Sequence, residues 1–99
     1  MQDGEGEKRN ALRKIFYQMK TSDWEIQKKY FRVSEVAKIL NVTQSKIRFW
    51  NAKFNIGAQL GDHGRLYSRE MVAKLHVVYN LLKEQKYTIE GAKQKLNEL

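Results

Sequence analysis

Residues 34–54, SEVAKILNVTQSKIRFWNAKF, hold two short runs of apolar residues at helical spacing, separated only by the Asn41-Val42 step. Ser34 is a good cap for a helix over Glu35 to Leu40, with acidic Glu35 in its first turn. Asn41 tolerates the left-handed conformation that a tight turn demands, and Thr43 can cap a second helix running to about Phe54. Two short helices therefore meet across a tight turn. Val36, Ala37, Ile39 and Leu40 bury one face, Val42 fills the corner, and Ile47, Trp50 and Phe54 bury the second helix against them. This is the arithmetic of a helix-turn-helix.

The flanking sequence completes the outline. Residues 1–9, polar and carrying Asp3, Glu5 and Glu7, read as a disordered acidic tail. Residues 10–28 read as an N-terminal amphipathic helix and linker. Leu12, Ile15, Phe16 and Met19 form its stripe, the helix ends near Thr21 and Ser22, and Trp24, Ile26 and Tyr30 either pack onto the main domain, the favoured reading, or form a subunit contact. Tyr30 to Val33 is β-prone, with Arg32 pointing outward. Residues 55–67 carry Gly57, Gly61 and Gly64, too many for a helix, and predict a β-hairpin with a Gly-Asp-His-Gly tip. Ser68 caps a third helix with an unbroken stripe of Met71, Leu75, Val78 and Leu82, flanked by Val72 and Tyr79. Thr88 caps a last helix with Ile89, Ala92, Leu96 and Leu99 on one side, packed on the third as an αα-hairpin. The expected fold is mainly α with a small β-hairpin wing, a winged helix-turn-helix over residues 29–99.

Charge says what such a domain meets. Nineteen Lys and Arg against eleven Asp and Glu give +8 and a pI near 9.8, so the favoured partner is an anion, nucleic acid first. Over residues 28–67 the cations Lys28, Lys29, Arg32, Lys38, Lys46, Arg48, Lys53 and Arg65 face only Glu35 and Asp62. Most of the excess charge therefore sits on the motif. The absence of cysteine excludes disulfides, thiolate catalysis and Cys-based metal sites. The acidic N-terminus is no signal peptide and no 18-residue apolar run exists, which points away from membranes and to the cytoplasm, at the nucleoid.

With Ile47, Trp50 and Phe54 buried, the second helix turns Ser45, Arg48, Phe49 and Ala52 outward, with Lys46 and Lys53 beside them and Gln44 at the N-terminal end. No acidic residue occurs from Asn41 to Gly61, whereas an ordinary solvated face mixes signs. Small Ser45 and Ala52 let the backbone approach a groove. Arg48 and Lys46 can bond phosphate or guanine, Gln44 can pair with adenine, and Phe49 can touch thymine methyls. Arg65 lets the hairpin reach a flanking phosphate or minor groove. Trp24 and Trp50 read as core anchors, the edge of Trp50 lying near a phosphate. His63 and His76 are too isolated for metal-ligand spacing, and Asp62 beside His63 on a turn lacks a nucleophile or pocket, so neither a metal, a cofactor nor an enzyme is expected.

KYFRVSEVAKILNVTQSKIRFWNAKF, then GRLYSREMVAKL and YTIEGAKQKL, resemble the DNA-binding domain of the MerR family of bacterial transcriptional regulators over residues 29–99. The resemblance implies double-stranded DNA as partner, dimers that bend and untwist operator DNA, and RNA polymerase at the promoter as a further partner. It implies Arg48 and Phe49 as backbone and base contacts, Arg65 as the wing contact and Tyr67 as the wing tyrosine packed at its base. The chain departs from the family's pattern in three places: Phe49 stands where Tyr is frequent, Gln59 falls where a wing arginine is common, and the wing has no proline. The long dimerisation helix and sensor domain of typical members would follow Leu99, so the N-terminal helix is the expected homodimer face here. The expected DNA contacts are Gln44, Ser45, Lys46, Arg48, Phe49, Trp50, Lys53, Arg65 and Tyr67, with helix 43–54 in the major groove and wing 56–67 on the flanking backbone. Two other readings fit the same sequence: an architectural or excisionase-like DNA-bending protein, and a protein-interaction module docking through the N-terminal stripe.

Overall fold

A computed structural model of the chain describes residues 11–12, 14–18, 28–61 and 64–98. β1 (Tyr30–Arg32) leads directly into α1 (Val33–Leu40), and α2 (Gln44–Lys53) follows. β2 (Gln59–Gly61) and β3 (Gly64–Ser68) form the wing. α3 (Arg69–Tyr79) runs into a π-helical segment, Asn80–Glu84, and α4 (Ile89–Asn97) closes the order. Residues 11–12 and 14–18 are also helical. The expectations for the acidic tail, Met19, Trp24, Ile26, the Asp62-His63 tip and Leu99 fall outside the described residues.

The tight turn forms as its residues dictate. Asn41 is left-handed (φ 57, ψ 49), a conformation that costs most residues roughly 1–2 kcal/mol and Asn less. It lets the N–H groups of Asn41 and Val42 reach back to the carbonyls of Lys38 and Ala37, at 3.2 and 3.0 Å. The start of α1 corrects the expected Ser34 cap: Arg32 is the capping residue and Ser34 lies in the first turn. Glu35 explains the shift. Its Oε1 accepts from the Arg32 backbone N–H at 2.8 Å, and its other oxygen pairs with the Lys28 ammonium. A carboxylate at this position reaches back to satisfy a donor the helix itself cannot.

The wing is more than a hairpin. β3 is the middle strand of an antiparallel sheet of order β1-β3-β2. Phe31 lies opposite Tyr67 on one side, and Leu60 lies opposite Arg65 on the other. The strand that enters the helix-turn-helix is thereby hydrogen-bonded to the strand that carries the wing.

Phe31, Val36, Ile47, Tyr67, Val72, Leu75 and Val78 have no solvent exposure, and Trp50 has 2%. Leu12 and Phe16 join this core, the Phe16 ring lying 5.7 Å from that of Phe31. Two residues of the stripe that the docking-module reading would use, Leu12 and Phe16, are thus covered by the chain's own core, and Ile15 is partly covered. Arg69 holds the N-terminal segment from the start of α3. Its Nε donates to the Lys28 carbonyl at 2.6 Å and its Nη1 to the Tyr17 hydroxyl at 3.1 Å, with the guanidinium over both the Phe16 and Tyr17 rings.

Ser68 caps α3, its hydroxyl accepting from the Met71 N–H at 3.2 Å. The unbroken stripe expected along this helix is corrected. Val72, Ala73, Leu75, Val78 and Leu81 are buried, while Met71 and Leu82 are partly covered. Past Asn80 the chain leaves the α-helical period: the 3.0 Å bond from the Gln85 N–H to the Asn80 carbonyl spans five residues, and within this segment Leu81 is buried with Leu82 partly covered beside it. Lys86 (φ 59) then ends the helix, and Thr88 caps α4 through Gly91 N–H at 3.1 Å.

Candidate nucleic-acid interface

α2 starts where Thr43 accepts a hydrogen bond from the Lys46 N–H, at 3.2 Å. Ile47 and Trp50 lie under it, and Phe54 is buried just past its end. Helical periodicity then leaves Gln44, Ser45, Arg48, Phe49, Ala52 and Lys53 exposed on the far side, with Lys46 half-buried at the margin. Arg48 Nη2 donates to Gln44 Oε1 at 3.3 Å, so the two side chains lie together one turn apart. Phe49 is 46% exposed, and the Lys53 ammonium sits 5.7 Å from its ring centre. The outer face of α2 thus offers donors, an acceptor and an apolar ring, with no carboxylate among them.

Lys46 reaches beyond its own helix. Its ammonium lies 5.9 Å from the Trp50 ring, and Lys83 holds Lys46 below its usual range, because the Lys83 ammonium can donate only to the neutral form of Lys46 and its charge repels the protonated form. Two ammonium groups held side by side at a surface repel unless an anion sits between them.

The end of α2 is tied to the wing by Asn51. Its Oδ1 accepts from the Ala58 N–H at 3.2 Å, and its carbonyl accepts from the Ile56 N–H at 3.1 Å around left-handed Asn55. Arg65 is exposed on β3. Two residues on, Tyr67 is wholly buried and its hydroxyl has no hydrogen-bond partner. Burial pushes that hydroxyl up, while the charges of Arg65 and Arg48 act against the shift. Arg48 from α2 and Arg65 from the wing therefore bear on the same buried group from separate elements.

Of the nine residues singled out in the sequence, seven lie at this surface: Gln44, Ser45, Lys46, Arg48, Phe49 and Lys53 on α2, and Arg65 on the wing. Trp50 and Tyr67 are buried instead, in keeping with the core anchor and the tyrosine packed at the base of the wing that the sequence also suggested, and not exposed as direct contacts would be. Trp50 stands one turn after Ile47 on the buried side of α2, and Tyr67 is held against Phe31 by strand register, so both support the surface from beneath. Asn51 and Lys83 were not legible in the sequence, because a polar residue reaching another element leaves no periodic signature.

His76 is half-buried in α3, its imidazole pushed down by burial, with Nε2 3.4 Å from Asn80 Nδ2. Among the described residues no three His, Cys, Asp or Glu side chains gather to hold a metal ion, and no helix is long and apolar enough to cross a membrane.

Two crossing helices with an exposed cationic face on the second, flanked by a hairpin in a three-stranded sheet, define a winged helix-turn-helix. Residues 31–99 match the MerR HTH family of regulatory proteins, and the chain belongs to that family. It is a family of DNA-binding transcription regulators rather than of enzymes. No curated protein and no solved structure gives a significant match to the chain.

Proposed function

We propose that the protein is a sequence-specific regulator that sets α2 into the major groove of double-stranded DNA and lays its wing on the flanking backbone. The carrying observation is the acid-free outer face of α2, with exposed Arg65 of the wing near enough to act on the same buried hydroxyl, Tyr67, as Arg48. Gln44 and Arg48 have the chemistry for base edges, Phe49 for thymine methyls, and Ser45 and Ala52 leave room for close approach. Lys46, Lys53 and Arg65 are phosphate contacts, with Lys83 sharing the phosphate that would separate it from Lys46. Trp50 and Tyr67 position the helix and wing.

If one subunit neutralises three or four phosphates, a dimer meets six to eight, and log affinity falls with log salt at a slope of roughly 5 to 7 in magnitude. Family members act as dimers at promoters beside RNA polymerase, and the same arrangement is proposed here. A second reading, monomers in tandem that bend DNA, is favoured by the burial of Leu12 and Phe16 in the chain's own core, which uses the stripe an N-terminal dimer would share. Selection of binding sites from random duplexes, followed by footprinting, tests both. A palindromic footprint supports the dimer and direct repeats the tandem monomers, whereas failure to enrich any sequence overturns specific recognition.

A further inference from the structure

Among the described residues Leu60 is the most exposed large hydrophobic side chain, at 79%. Its register says which way it faces. Leu60 lies directly across from Arg65, and Arg65 stands two residues before Tyr67 on the same strand. Directly paired residues share a sheet face, as do residues two apart on a strand, so Leu60, Arg65, Tyr67 and Phe31 form one continuous face. At Tyr67 and Phe31 that face is sealed against the helices; at Arg65 and Leu60 it runs out into solvent.

The wing is also slim at this point. The next rung outward pairs Gly61 with Gly64, which add no side chains to its thickness. Leu60 is on the edge strand, and its neighbours Gln59, Gly61 and Arg65 bring no negative charge. A thin blade bearing one aliphatic side chain beside a guanidinium has the shape and chemistry of a minor-groove probe. That groove is about 6 Å wide, and apolar side chains set into it separate base steps and kink the duplex.

Resting on the DNA-binding reading above, we infer that Leu60 is an apolar wedge which the wing places in the minor groove beside the site read by α2, with Arg65 on the adjacent phosphate. The partner sequence at that flank is a flexible pyrimidine-purine step, the kind that yields to partial unstacking at least cost. Recognition then extends to base pairs that α2 never touches.

The test uses a duplex obtained by selection from a random pool, with 2-aminopurine placed in turn at the flanking steps. Wild-type protein raises the fluorescence at one flanking step. Leu60→Ala removes that rise and weakens binding roughly 15- to 60-fold, the scale set by withdrawing two or three methylene-sized groups from an apolar contact. Its salt slope stays that of wild type, because leucine displaces no counterions. Its melting temperature is also unchanged, since the side chain is outside the core.

Arg48→Ala separates the two levels of the account. If Arg48→Ala weakens binding while Leu60→Ala matches wild type in affinity and fluorescence, the wedge is overturned and the major-groove reading stands. Weakened binding by Leu60→Ala without any fluorescence change in the wild-type complex overturns insertion between bases. No complex with wild-type protein overturns the wedge together with the reading it rests on.

Discussion

Phe31 and Tyr67 face each other across β1 and β3, both wholly buried, and so lock the strand that enters the helix-turn-helix to the strand that carries the wing. The helix and the wing therefore move as one body, and a distance between Arg48 and Arg65 is fixed by packing rather than by a flexible linker.

Tyr67 separates packing from contact. Its hydroxyl is buried without a partner, so Tyr67→Phe removes an unsatisfied polar group and is expected to leave stability unchanged or raise it by up to about 1 kcal/mol. Tyr67→Ala removes the ring and is expected to cost about 3–5 kcal/mol. Urea denaturation checks both. DNA affinity of Tyr67→Phe equal to wild type is the outcome for a positioning residue; a loss of affinity at unchanged stability assigns the hydroxyl to the DNA.

The turn makes an opposite pair of demands. Asn41→Ala puts a Cβ without a compensating polar group in the left-handed region and is expected to destabilise by about 1 kcal/mol, whereas Asn41→Gly is close to neutral. Thermal melting of the two variants decides it, and equal loss in both would place the contribution of Asn41 in its side chain instead of its backbone.

What could be read in the sequence follows from what leaves a periodic trace. The turn at Asn41, the caps at Thr43, Ser68 and Thr88, and the outward set around Arg48 all follow from local chemistry and a 3.6-residue period, and the structure has them in place. The pairing of β1 with β3 was not legible, since a three-residue strand does not announce its partner. Ser34 looked the better cap, but a carboxylate reaching back from Glu35 outcompeted a hydroxyl. Leu81 is buried inside the π-helical segment, where an α-helical count from the sequence no longer applies. In the site, Lys83 came to Lys46 only through the fold.

Stability should carry the mark of Glu35. Burial alone would raise its carboxyl, but the Arg32 N–H and the Lys28 ammonium outweigh burial and hold it below its ordinary value of 4.5. A carboxyl with a lowered folded value contributes stability that is full above 4.5 and is lost as pH falls through the folded value. The difference in unfolding free energy between wild type and Glu35→Gln is expected to be constant near neutrality and to shrink as pH drops below about 4.5. A difference that grows on acidification would reverse the assigned sign.

Lys83 offers a test away from α2. Its removal relieves Lys46 of a neighbouring cation, so Lys83→Ala should fold at least as well as wild type. With one phosphate contact fewer, its binding should weaken about equally on all duplexes and its salt slope should fall by about one unit per subunit. An unchanged slope would take the π-helical segment out of the interface.

The most direct trial of the central claim is a titration of wild type and Arg48→Ala against two duplexes, the selected site and a scrambled sequence of the same composition. A bidentate contact to a base contributes about 1–3 kcal/mol of discrimination. Arg48→Ala is therefore predicted to lose affinity for the selected duplex by roughly 5- to 150-fold and much less for the scrambled one, narrowing the ratio between them. Equal affinities of both proteins for both duplexes would contradict major-groove readout by α2.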